Sequence, residues 1–170
     1  MTTTASPPSS RQVSLLALIL FAPLSLTAWA LLATSPKPAG LATVAVIAVG
    51  FVAILYFIVA RHAVELTPSR LKVKHSLYTF SLERSEVSAL RVSELASADQ
   101  IGLALRTNGV AGFGYLSGWF RRVGNEKIFC AVSQGPLWLL TFEGSAGCRQ
   151  LALSASAETV RRIEEWARQG

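Results

Sequence analysis

The amino-acid sequence predicts a two-helix transmembrane hairpin followed by one α+β, mainly β, domain. Three observations predict it. Two long apolar stretches lie near the N-terminus, period-two alternation sets in at residue 61, and the last fifteen residues switch to helical period.

The 170-residue chain is 51% hydrophobic and only 15% charged, more apolar than an ordinary soluble domain of this length. The excess sits in the first 60 residues, where Arg11 and Lys37 are the only charged side chains. Residues Val13–Ala33 and Leu41–Ala60 are each long enough to cross a bilayer that needs about 20 apolar residues. Between them, TSPKPAG (Thr34–Gly40) holds two prolines and a glycine, which break a helix and leave room only for a tight antiparallel turn. Both chain ends then share one side. Arg11, Arg61, Arg70, Lys72 and Lys74 flank the membrane on that side against Lys37 in the turn, so the positive-inside rule makes it cytoplasmic. The expected organisation is a cytoplasmic tail at 1–12, spans at 13–33 and 41–60, and a cytoplasmic domain at 61–170 in the inner membrane. A secretory signal cleaved after AWA (Ala28–Ala30) fits less well, because the charge-free stretch exceeds the apolar core of a signal and only one Arg precedes it.

Candidate strands in the domain are His62–Leu66, Arg70–Lys74, Leu77–Leu82, Val87–Val92, Ile101–Thr107, Gly114–Phe120, Lys127–Ser133, Leu137–Phe142 and Arg149–Ser154, separated by turn signals such as TNG, VGN and QGP. Such short, evenly spaced strands predict an antiparallel sheet curled into a barrel or sandwich of about seven strands. In SAETVRRIEEWARQG, Val160, Ile163, Trp166 and Ala167 fall on one helical face, Ser156 is a natural N-cap, and Glu158 suits the positive end of the helix dipole.

Several constellations bear on function. Arg70, Lys72 and Lys74 project from one face of a strand. With Arg61 they form a candidate membrane-surface contact, since basic side chains are drawn to anionic headgroups; a solvated strand face explains the same charges. Arg121 and Arg122 are candidate ligand or partner contacts through their forked donors. Gly109, Gly112, Gly114 and Gly118 match no phosphate-loop spacing and are assigned to turns and close strand approach. Trp119, Phe120 and Trp138 are assigned to the core rather than to a peptide groove. Cys130 and Cys148 lack metal-ligand spacing and are expected as free thiols. His62 and His75 lie far in sequence from both cysteines, and no nucleophile motif supports catalysis. No metal, cofactor or nucleic-acid partner is expected: the net charge of +6 is not gathered into a basic run.

The run LRTNGVAGFGYLSGWFRRVGNEKIFC, followed by PLWLLTF and LALSASAETVRRIEEW, resembles the bacterial pleckstrin-homology-like membrane proteins. The resemblance implies a pleckstrin-homology-like domain, a barrel closed at one end by its C-terminal helix. It further implies a membrane-anchored, non-enzymatic module that binds a protein partner or its own copies beside the lipid bilayer. The alternatives are a sensor of anionic lipid or a small ligand at the inner leaflet, and an enzyme whose site the sequence does not display. A fold of this kind does not by itself transmit lipid binding.

Overall fold

The computed structural model describes residues 2–4, 7–34, 38–144 and 149–169. A three-residue strand β1 (Thr2–Thr4) precedes two helices, α1 (Ser10–Thr34) and α2 (Pro38–Ala60). Then come β2 (His62–Leu66), β3 (Arg70–His75), β4 (Tyr78–Glu83), β5 (Ala89–Leu95), β6 (Leu103–Gly112), β7 (Tyr115–Arg122), β8 (Lys127–Val132), β9 (Leu137–Glu143) and β10 (Arg149–Ser154). Helix α3 (Ala157–Arg168) closes the chain.

The first correction concerns the membrane. Among the described residues no helix is long and apolar enough to cross one, which overturns the expected transmembrane hairpin and the inner-membrane placement built on it. The described side chains of α1 are interrupted by Ser14, Pro23, Ser25 and Thr27, after Arg11 and Gln12 at its start. Residues 35–37, including the Lys37 used for orientation, lie outside the described residues, as does Cys148. In α1, Ser25 Oγ and Thr27 Oγ1 donate to the carbonyls of Phe21 and Pro23, one turn back. The two helices meet through Phe21 and Phe51, whose ring centroids are 6.2 Å apart. Trp29, Val46 and Tyr56 stay exposed.

The second correction concerns the sheet. In place of one antiparallel barrel of about seven strands, the described residues form ten strands in two sheets, ordered β1-β2-β3-β4 and β5-β9-β10-β8-β7-β6. The sequence signal QGP does turn the chain between β8 and β9, but these strands are not neighbours. Strand β10 inserts between them, antiparallel to β9 and parallel to β8. The link from residue 133 to 136 therefore spans two strand spacings, roughly 10 Å, which four residues reach easily. Ser133 N donates to Ser154 Oγ and Ala155 N to Pro136 O, fastening β10 into the gap. Strands β8 and β10 are buried on both faces, and their near-continuous apolar runs, IFCAV and LAL, are what a parallel pair covered on both sides requires.

Elsewhere the alternation predicts the faces well. On β3, Leu71 and Val73 point inward while Arg70, Lys72 and Lys74 alternate outward. The core gathers Val64, Leu71, Val73, Phe80 and Leu82 from the first sheet against Phe129, Leu140, Phe142, Leu151 and Leu153 from the second. Helix α3 adds Val160, Ile163 and Trp166. Ser156 caps α3 by accepting from Thr159 N at 3.3 Å. A smaller cluster of Ile101, Phe120, Ile128, Cys130, Val132, Leu137 and Ala152 fills the other side of the six-stranded sheet.

The long hairpin β6–β7 turns at Phe113 and Gly114, both with positive φ (52° and 75°). That geometry matches the right-handed twist of the strands. TNG is therefore no turn: the strand runs through it, with register irregularities between Leu103 and Leu105 and between Arg106 and Asn108. A Cβ on Gly118, whose φ is +115°, would stand 2.5 Å from Asn108 O, so only glycine lets these two strands approach so closely.

Candidate functional site

The predicted basic stripe lies on the outer face of β3, and acidic neighbours on the flanking strands engage it. Arg70 forms an ion pair with Glu83, directly opposite on β4. Lys74 pairs with Glu65 of β2, the residue that also stands opposite Lys72. The Lys74 hydrogen bond holds the Glu65 carboxyl below its usual range against the opposing effect of burial, with the charges of Lys74 and Lys72 adding to it. Three cations thus face two carboxylates. Arg61, just before β2, contributes its carbonyl to Ser76 N at 2.9 Å.

Arg121 and Arg122 are adjacent in sequence but do different things. Arg121 Nη1 donates to Asn125 Oδ1, closing the β7–β8 turn. Arg122 reaches inward: Nε donates to Ile101 O at 2.7 Å, Nη1 donates to Gln150 Oε1 at 3.1 Å, and Glu126 lies 3.8 Å away. Gln150 Nε2 in turn donates to Glu126 at 2.9 Å. The arrangement knits β7, β10 and the turn before β6 into one network.

The aromatics pack. Phe120 is buried, Trp119 lies edge-on to Phe129 at 5.1 Å with Lys127 Nζ 4.5 Å from its ring centre, and Trp138 Nε1 donates to Ala155 O. Burial pushes the Cys130 thiol up to about 12, the Arg122 charge pulling the other way, so this thiol carries little nucleophilic thiolate at neutral pH. Among the described residues no three His, Cys, Asp or Glu side chains are grouped to hold a metal ion.

Two features that the sequence did not single out stand apart. The first is an open groove of about 630 Å³ between β2 and α3. Val64, Leu66, Ile163 and Trp166 give it an apolar lining, and Trp166 Nε1 donates to Thr67 O at 2.8 Å, tying α3 to the β2–β3 turn. Its charged rim is self-neutralising: Arg161 bridges Glu158 and Glu165, and Arg162 also holds Glu158. The hydrogen bonds from Arg161 and then Arg162 hold the Glu158 carboxyl below its usual range. Alongside the groove runs the outer edge of β2, on which β1 is seated antiparallel, Thr4 against Ala63 and Thr2 against Glu65. The N-terminal end of β1 therefore points along the edge toward Leu66 and the groove.

The second is a buried polar cluster. His62 and His75 stand opposite each other across β2 and β3, their rings edge to face with centroids 4.4 Å apart. Tyr115, at the start of β7, stacks on His75 at 5.1 Å. Ser117 Oγ donates to His75 O at 2.9 Å. His75, Ser76, Tyr115 and Ser117 are wholly buried, yet neither His75 nitrogen, nor Ser76 Oγ, nor the Tyr115 hydroxyl makes a well-formed hydrogen bond. Burial, with the nearby charge of His62 as the second cause, holds His75 well below the ordinary histidine range. Burial likewise pushes Tyr115 up to about 12, and the Ser76 and Ser117 hydroxyls beside it act in the opposite direction.

Helix α1 reaches the turn beside this cluster. Ser9 and Gln12 form a reciprocal capping pair, Gln12 N on Ser9 Oγ and Ser9 N on Gln12 Oε1, both at 3.0 Å. That leaves Gln12 Nε2 to donate to Phe113 O at 3.3 Å, two residues before Tyr115. The SSRQ run carried this cap as a visible signal. Nothing in the spacing of His62, His75 and Tyr115 announces their convergence, because the register of β2 on β3 and the packing of one sheet against the other create it.

Comparison with protein-family models, with curated proteins and with solved structures found no match.

Proposed function

We propose that this chain is a non-catalytic interaction module that assembles with a second copy of itself, the N-terminal strand of each copy lying on the β2 edge of the other. The observation that carries this reading is the seating of β1: three residues on a strand edge, beside an apolar groove. Strand β1 is separated from β2 in sequence by both long helices, and Pro7 and Pro8 stand between it and α1. Proline-containing links are stiff, and an element so joined exchanges between copies at small cost because the same contacts form in either arrangement. The β2 edge also extends past the reach of β1 to Leu66 and the lining of the groove. Among the described residues, the self-paired rim, the inert Cys130 and the scattered carboxylates offer no catalytic set, which favours binding over chemistry.

Sedimentation of the full chain against a chain lacking Thr2–Thr4 tests the proposal. The expected result is a concentration-dependent dimer that becomes monomeric on deletion. A full chain that sediments as a monomer at every concentration would overturn the proposal, and so would a dimer that the deletion leaves intact.

A further inference from the structure

We infer that the His62, His75 and Tyr115 cluster is an acid-operated latch that fastens the α1–α2 helix pair to the β domain. Its position makes it one. His62 follows α2 by two residues, His75 ends β3, and Tyr115 starts β7 just after the turn that Gln12 of α1 holds. The chain leaving α2 and both sheets therefore meet on one set of three rings, and the start of α1 is tied to the turn two residues before the third.

Its chemistry makes it sensitive to acid. A proton on His75 would place a charge in a site with no exposure to water, where neither ring nitrogen makes a hydrogen bond, and an unpaired buried charge is among the costliest features a fold can hold. The groups facing His75 offer no relief. From β2 comes His62, a second base that repels it when charged; from β7 come the Tyr115 ring and Ser117, whose hydroxyl is committed to the His75 carbonyl; opposite on β4 stands Tyr78. The protonated ring must move to water. As it leaves, Tyr115 loses its stacking partner, and the turn at Phe113 that anchors Gln12 loses its support. Neutral pH keeps the latch closed, and the depressed basicity of His75 sets the opening on the acid side of ordinary histidine titration. The core around β8 and β10 contains none of His62, His75, Tyr115 and Ser117, so opening is local.

Hydrogen exchange of the full chain between pH 7.5 and 5, corrected for intrinsic rates, tests this. Amides of residues 61–64 and 113–117 should lose at least tenfold in protection as pH falls, while those of β8 and β10 keep theirs. In His75→Phe, the protection of 61–64 and 113–117 should no longer depend on pH. Protection at those amides that does not change with pH in the natural chain would overturn the latch, and so would an identical pH dependence in His75→Phe. Should His75→Phe fail to protect β8 and β10, the histidine ring signals of the natural chain decide the matter. The latch requires His75 to take up its proton only together with the loss of protection; a His75 titrating near pH 6.5 with protection intact would overturn it.

Discussion

Arg122 and His75 are both polar side chains drawn out of water, and the fold treats them in opposite ways. Arg122 finds the Ile101 carbonyl, Gln150 and Glu126 at the end of its guanidinium. His75 is more deeply buried and packs between two rings, with both nitrogens unserved. A charge that stays on at every physiological pH has to be matched permanently, whereas a base that can shed its charge needs no partner while it is neutral. The first arrangement is a fixture of the six-stranded sheet, and the second is conditional on pH.

Breaking the fixture should have the largest effect. Arg122→Met leaves the Ile101 carbonyl and the Gln150 amide without their charged donor and should cost about 2 kcal/mol, the range for hydrogen bonds to a charged group. A lowered urea midpoint with unchanged slope would show it.

Titrating the conditional site comes next. Unfolded His75 takes up its proton near pH 6.5 and folded His75 only well below that. Below pH 6.5 the unfolded chain therefore binds more protons, and stability is full above this pH and is lost as pH falls toward the folded value. The loss should approach about 1.4 kcal/mol per pH unit at its steepest, followed by urea midpoints from pH 7.5 to 5. In His75→Phe that share of the acid loss should vanish, and stability at pH 7.5 should stay within about 1 kcal/mol of the natural chain, because an apolar ring replaces two unserved nitrogens.

The smallest effect belongs to the exposed charges. Lys72→Gln should shift stability by no more than about 0.5 kcal/mol, as expected of a surface charge in water, and its urea midpoint should coincide with that of the natural chain. A large effect there would mean that the β3 stripe is a built site and not a solvated face.

Much of the β domain was legible in the sequence because the alternation on β3, β4 and β7 and the helical period of α3 are local properties, each fixed by which face meets the core. The insertion of β10 between β8 and β9 was not. QGP is the same turn signal whether the strands it joins are neighbours or one strand apart, and only the burial of both faces of LAL hints at the difference. The apolar count of residues 13–33 and 41–60 predicted helices that cross a membrane, and no described helix is long and apolar enough to do so. The basic stripe was legible as residues, while Glu65 and Glu83 became its partners only through strand register. Register hid the histidine pair for the same reason: His62 and His75 face each other because the β2–β3 hairpin closes at residues 66–71.

The most direct test of self-assembly through β1 is a crosslink. Thr4 and Ala63 are partners across the β1–β2 ladder, where facing Cα atoms stand about 4.5–5.5 Å apart, within disulfide reach. In a chain carrying Thr4→Cys and Ala63→Cys, with Cys130→Ala and Cys148→Ala removing the resident thiols, mild oxidation should yield a covalent dimer linked between copies. A disulfide formed only within single chains, at concentrations up to the highest attainable, would contradict it.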